Sequence, residues 1–232
     1  MNSSWYLENN IDVEKSVGID EVGRGPLAGP VVAAAVWISE STIALLEQSD
    51  ILVRDSKKLS EKQRKQTLLW IKSIPDSMIR YAVGEASVEE IDSINILNAA
   101  MLAMKRAYDT LNFDADIALI DGNRSPDLGN TQTQTVIKGD DKVLSIALAS
   151  IIAKEYRDAI MKIYAEQYPG YGWEKNAGYG SQQHIYAIFH KGVTPLHRKT
   201  FSPIKEAIGI AEKVVDLTDR KRINRKNKNF LA

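Results

Sequence analysis

Residues Val17–Pro30 read VGIDEVGRGPLAGP, and Val31–Ile38 continue as VVAAAVWI. The first stretch sets a short apolar run, two adjacent acids and four glycines within fourteen residues. Val17, Gly18 and Ile19 start a strand, Asp20 and Glu21 stand where the apolar pattern stops, and Gly23-Arg24-Gly25-Pro26 reads as a loop. Neighbouring side chains on a strand point to opposite faces, so Asp20 and Glu21 converge on one ligand only if the strand ends or twists there. Gly23 supplies the means. The run Val31–Ile38 has strand length and no polar break, which predicts a strand buried on both faces and paired with the first. Taken alone, two acids before a Gly-Pro loop also describe an ordinary solvated strand end.

Outward from this stretch, strands alternate with helices. Residues 1–16 are polar and read as a lead-in. A brief helix is expected over 41–48, then a loop at Asp55–Lys58, and a helix over 61–72 with Ser60 and Gln63 spaced as a capping box. A strand over 78–86 precedes a second capping box, Ser87 and Glu90, for a helix reaching Leu111. Ile91, Ile94, Leu97, Asn98, Met101, Leu102 and Met104 form that helix's expected apolar stripe. Strands follow at Asp116–Asp121 and Thr133–Ile137, then a long helix over 141–168, apolar nearly all round between Val143 and Ala153. A glycine-rich loop over 169–180, a short helix over 182–190, a turn at 192–197 and a final helix over 203–215 complete the order. The tail after Thr218 carries six basic residues against Asp219. This order predicts an α/β domain, a mixed five-stranded sheet covered by helices.

The bulk numbers exclude several classes. The 232 residues suffice for one full core with a small appendage, and 44% apolar and 26% charged residues are ordinary for a globular chain. Thirty basic residues balance thirty acidic ones, so a nucleic-acid footprint must be local. With no cysteine, disulfides, thiolate metal sites and cysteine nucleophiles are all ruled out. No apolar run approaches a membrane span and the N-terminus lacks the pattern of a secretory signal, so the expected location is cytoplasmic.

The chemistry then rests on acids. Asp20, Glu21 and Asp121 stand at strand ends and Asp140 in a glycine-containing turn at a helix start. Carboxylates without cysteine form a hard oxygen ligand set suited to Mg²⁺ or Mn²⁺ rather than Zn²⁺. Clusters of this type hold two ions that hydrolyse phosphodiesters. Asp141, beside Asp140, is a rival ligand; Asp158 is expected to form a surface pair with Arg157. Ser56, Lys57, Lys58, Lys154 and Arg157 are candidate phosphate contacts, and His184, His190 and His197 are too widely spaced to suggest a metal site. His197-Arg198 is read either as a contact to backbone or as a structuring element of its turn.

DEVGRGPLAGPV at Asp20–Val31 resembles the first motif of ribonuclease HII, the prokaryotic type 2 ribonuclease H family. Six further resemblances follow in the family's order: DSKKLS (Asp55–Ser60), IDGN (Ile120–Asn123), KGD (Lys138–Asp140), ASIIAKEYRD (Ala149–Asp158), NAGYGSQQH (Asn176–His184) and GVTPLHRKTF (Gly192–Phe201). They cover residues 17 to 203. The resemblance implies a ribonuclease H-like catalytic domain over 17–203, followed by a C-terminal helix and basic tail over 204–232. It implies that Asp20, Glu21, Asp121 and Asp140 are the catalytic, metal-binding acids, Asp140 being preferred over Asp141. It also implies that Gly23, Arg24 and Gly25 act with Tyr179 to sense the 2′-hydroxyl of a ribonucleotide that precedes a deoxyribonucleotide. The implied activity is hydrolysis of RNA in RNA/DNA hybrids and incision of duplex DNA 5′ to embedded ribonucleotides, leaving 3′-hydroxyl and 5′-phosphate ends. Two Mn²⁺ or Mg²⁺ ions are the implied cofactors, and the expected form is a monomer without an obligate protein partner. Ribonuclease HIII resembles GKG rather than GRG at the turn and prefers glutamate as its fourth acid. Two departures stand out: Ala177 where many relatives have lysine, and Ser181 where threonine is common.

Overall fold

The computed structural model describes residues 4–209. Its strands are β1 (Ser16–Val22), β2 (Val31–Ile38), β3 (Ile79–Ala86), β4 (Ile117–Asp121) and β5 (Gln132–Val136), and they form one sheet in the order β3-β2-β1-β4-β5. The pairs β1–β2 and β2–β3 are antiparallel, whereas β1–β4 and β4–β5 are parallel. The mixed five-stranded sheet expected from the sequence is therefore present. Every residue of β2 is buried, as its unbroken apolar run requires.

The helices are α1 (Ser4–Glu8), α2 (Glu40–Glu47), α3 (Glu61–Ser73), α4 (Val88–Leu111), α5 (Leu144–Gln167), α6 (Trp173–Asn176) and α7 (Gln182–Lys191). Both capping boxes form: Ser60 with Gln63 opens α3, and Ser87 with Glu90 opens α4. The described chain divides into two compact units. Residues 4–24 and 30–161 make the first, which holds the whole sheet; residues 25–29 and 162–209 make the second, so the chain passes between them within α5.

In the first unit, α4 packs against β1, β2 and β3. Two glycines permit close approach of helix to sheet. A Cβ on Gly84 would collide with the backbone of Ala103 and Ala107 on α4, and one on Gly18 would collide with the backbone of Ser145 and Ile146 on α5. The all-apolar stretch Val143–Ala153 is buried throughout, as expected. The lead-in is more than a polar overhang: Tyr6 is buried, and its hydroxyl lies 2.8 Å from Ser145 Oγ.

The stripe expected on α4 holds at Ile91 and Met104, which are buried, and is corrected at Ile94 and Asn98. Asn95 has φ 66° and ψ 163°, and its Oδ1 accepts from the N–H groups of Leu97 and Asn98. Asn95 therefore acts as an interior N-cap at a kink. The kink leaves Ile94 and Asn98 exposed, while Ala99, Ala100, Ala103, Met104 and Ala107 form the buried face. In the second unit, the loop expected over 169–180 contains the single turn α6. Helical backbone begins again at Ile204; the remainder of the expected final helix and the basic tail lie outside the described residues.

Candidate active site

The four acids all belong to the first unit. In the parallel pair, Ile19 is level with Ile120, and the next residue of each strand is an acid, Asp20 on β1 and Asp121 on β4. Carboxyl ends of parallel strands are where open α/β sheets place their ligands. Asp121 ends β4, and its Oδ1 accepts from the Gly139 N–H at 2.7 Å. That bond joins β4 to the tight turn Gly139–Asp141, which carries Asp140. Lys138 enters the turn in the left-handed region, φ 56°.

β1 does not end at Glu21. It runs on to Val22, and Gly23, at φ 95°, breaks it. Asp20 and Glu21 thus stand among the last three residues of the strand, just before that break. Asp20 is buried, 5% exposed, and takes hydrogen bonds from the Glu21 N–H and the Ser150 hydroxyl on α5. Glu21 faces a cleft of about 80 Å³ shared with Leu97 and Met101 of α4 and with Asp121, and it pairs with Arg24 at 3.1 Å. Among the described residues, no three acids stand as a closed ligand cage. Larger cavities of about 570 and 540 Å³ lie elsewhere in this unit, at the starts of β1, β4 and β5 and beside α2, away from the acids.

The electrostatics show how closely the acids crowd. Burial holds the Asp20 carboxyl well above the ordinary range, and repulsion from Glu21, Asp121 and Asp140 raises it further against the Ser150 hydrogen bond. Glu21 is raised by burial, with Arg24 opposing. Asp140 is raised to about 6 by burial and then by Asp121, Asp55 and Asp141, while Lys57 opposes. Partly buried carboxylates that repel one another are a donor set suited to a hard divalent cation, which relieves the repulsion. Asp141 is engaged elsewhere, accepting from Lys58 Nζ at 2.7 Å.

A family model described as Ribonuclease HII matches residues 17–204. The chain belongs to the ribonuclease HII family. A ribonuclease HII of Rhodospirillum rubrum is 52% identical over 195 residues, covering 82% of this chain and 85% of the relative. The solved ribonuclease H2 of Pyrococcus horikoshii superposes with a TM-score of 0.67 at 26% identity, covering 83% of this chain and 96% of that one. Bst ribonuclease HIII, solved in complex with Mn²⁺, shares the fold at a TM-score of 0.66 and 21% identity, covering 85% of this chain and 70% of its own. The fold is the ribonuclease H-like one, and the chain is a ribonuclease H, a hydrolase that acts endonucleolytically on RNA in RNA/DNA hybrids.

Around the acids of this ribonuclease HII chain, several candidate contacts take different places from those expected. Ser56 is 3% exposed and its hydroxyl lies 2.9 Å from Ser150 Oγ. Its side chain therefore sits under the site, in a chain of hydroxyls leading to Asp20, and a direct substrate contact through it is corrected to a supporting one. Lys57 is exposed and close enough to act on Asp140. Arg157 is fully buried, its Nε donating to the Pro30 carbonyl at 2.9 Å, so it is not a phosphate contact. A Cβ on Gly23 would strike that guanidinium, so a glycine is required there for space as well as for φ. Asp158 pairs with Lys154, at 2.7 Å, and with Arg64.

Residues missed in the sequence lie beneath the site. Ser150 is one; a serine within an otherwise apolar buried helical run was its only signal. Arg64 is another. It bonds Glu155 at 2.7 Å and the Leu59 carbonyl at 2.9 Å, fastening the loop that carries Lys57 to α5.

In the second unit, Tyr179 projects from its loop with 44% of its surface exposed, and Gly25 lies beside its ring: a Cβ there would stand 3.4 Å from Tyr179 Cε1. Residues 25–29 are held in place by 196–198. Arg198 is buried and donates to the Gly29 carbonyl through Nε and Nη2, at 3.0 and 2.9 Å, while its N–H donates to the Leu27 carbonyl. His197-Arg198 thus structures its turn, one of the two roles read for it. Ser181 caps α7, accepting from the His184 N–H, a role its hydroxyl shares with threonine.

Proposed function

We propose that this chain incises duplex DNA on the 5′ side of an embedded ribonucleotide, in addition to cleaving RNA in hybrids, and leaves 3′-hydroxyl and 5′-phosphate ends. The observation that carries the reading is the crowding of Asp20, Glu21, Asp121 and Asp140 at the carboxyl ends of β1 and β4, with three of the four held above the ordinary carboxylate range. Asp20, Glu21, Asp121 and Asp140 would hold Mg²⁺ or Mn²⁺, two ions in the catalytic complex. Bound there, such ions supply Lewis-acid activation of water and neutralise charge on the departing oxygen.

The remaining work falls to the protein. Ser150 and the Glu21 N–H orient Asp20, the Gly139 N–H orients Asp121, and Lys57 offers a cation to a phosphate near Asp140. Gly23, Arg24 and Gly25 form a loop whose backbone N–H groups would meet a sugar-phosphate. Tyr179, beside Gly25, supports a reading of the ribose 2′-hydroxyl, the group that distinguishes RNA from DNA at one sugar.

The test is product mapping on a DNA duplex with one ribonucleotide, beside an all-DNA duplex, in Mg²⁺ or Mn²⁺. The expected product is a single nick immediately 5′ to the ribonucleotide, with a ligatable 5′-phosphate and none in the control. Cleavage confined to continuous hybrids would refute the incision reading.

A further inference from the structure

Two imidazoles of the second unit are fully buried and unused by the chemistry above. His184 of α7 and His197 stand with their Nε2 atoms 3.1 Å apart. Their partners fix where each proton sits. The Thr194 N–H donates to His197 Nδ1 at 2.8 Å, so that nitrogen is an acceptor, and a neutral His197 carries its proton on Nε2. His184 Nε2 receives that proton's hydrogen bond and a second from Trp173 Nε1 at 3.0 Å. The His184 proton is then on Nδ1, which donates to the Tyr179 carbonyl at 2.9 Å. The bonds run one way, from Thr194 through His197 and His184 to the backbone of Tyr179.

The groups packed against the pair are uncharged: the rings of Tyr171 and Trp173, the Thr194 hydroxyl and the Tyr179 and Gly178 carbonyls. Burial holds both imidazoles below their ordinary range, His197 at about 4 after the added effect of His184. A second proton on His197 would set two donors face to face at Thr194. One on His184 would do the same against His197 and Trp173. The neutral, directed state is thus the one that fits. The Tyr179 carbonyl also accepts from the Ser181 N–H at 2.8 Å, so it would keep a partner without His184. The extra bond from His184 fixes the backbone of the residue whose ring stands beside Gly25.

We propose that His197 and His184 form a positioning relay that holds the Tyr179 loop and thereby sets the enzyme's preference for a lone ribonucleotide over a continuous hybrid. This rests on the reading of Tyr179 as the sugar-sensing residue. Neither histidine touches the substrate; both act through Tyr179.

The experiment measures kcat/KM of full-length wild type, Tyr179→Ala, His184→Ala and His184→Asn on a one-ribonucleotide DNA duplex and on a continuous hybrid of the same sequence. Asparagine can place an amide N–H near the position of Nδ1. The ratio of the two activities is the readout, because general loss of structure lowers both alike. His184→Ala should lower the ratio about tenfold, the scale of a small misplacement of a positioning group, and His184→Asn should recover most of it. A ratio unchanged in His184→Ala, or no recovery with asparagine, overturns the relay while a lowered ratio in Tyr179→Ala leaves the sugar-sensing reading intact. An unchanged ratio in Tyr179→Ala overturns both. Should His184→Ala fail to fold, nitrogen-15 NMR of the wild-type imidazoles decides: His184 protonated at Nδ1 and His197 at Nε2 near neutral pH is expected, and His184 protonated at Nε2 contradicts the relay.

Discussion

Asp20→Asn is expected to raise the melting temperature of the chelator-treated protein at pH 7 while lowering cleavage of an RNA/DNA hybrid about a thousandfold or more, as loss of a group serving the transition state does. Asp20 is buried, and three neighbouring carboxylates repel it. Asparagine keeps an oxygen for the Glu21 N–H and the Ser150 hydroxyl but carries no charge. Relief of the buried charge should be worth about 1 to 3 kcal/mol, or roughly 3 to 10 °C for a chain of this size. The pH dependence has a definite sign. Asp20, Glu21 and Asp140 have folded-state values above their unfolded ones, Asp140 at about 6, so the native state binds more protons than the unfolded chain. Their contribution is fully present below the unfolded carboxylate range and is lost as pH rises towards and through 6. The two buried imidazoles, held below their ordinary range, contribute with the opposite sign in both proteins, so the difference between them carries the test: from pH 5 to pH 7 chelator-treated Asp20→Asn should gain stability relative to wild type. Calorimetric scans at the two pH values check this; a variant that melts below wild type at pH 7 would refute it.

Arg64→Ala is expected to destabilise the fold by about 3 to 5 kcal/mol, the cost of leaving one partner of a buried ion pair behind. Arg64 and Glu155 are 10% and 8% exposed at their side chains and 2.7 Å apart, and Asp158 stands 3.6 Å from the same guanidinium. Removing the arginine strands the Glu155 carboxylate and frees the Leu59 carbonyl. Because that loop carries Lys57, hybrid cleavage should weaken as well. Urea unfolding measures the first effect, and a loss under about 1 kcal/mol would show the pair to be a surface-type contact.

How much of this was legible in the sequence follows from the range of each interaction. Strands, capping boxes and the placement of Asp20 and Asp121 near strand ends depend on local pattern, and could be read. The exposure of Ile94 and Asn98 on α4 could not, because the kink depends on Asn95 capping Leu97 and Asn98 rather than continuing the helix. The burial of Ser56, Arg157 and Arg64 depends on partners 91 to 127 residues away along the chain, which local pattern does not reveal. The meeting of His184 with His197 depends on a turn that brings together residues 13 apart, which local pattern does not reveal.

The central claim, that the four acids form one divalent-cation site, is tested most directly by calorimetric titration of Mn²⁺ into wild type, Asp20→Asn, Glu21→Gln, Asp121→Asn and Asp140→Asn near pH 7. The account predicts saturable binding to wild type and affinity at least about tenfold weaker in each variant. Undiminished Mn²⁺ affinity in the folded variants would contradict it.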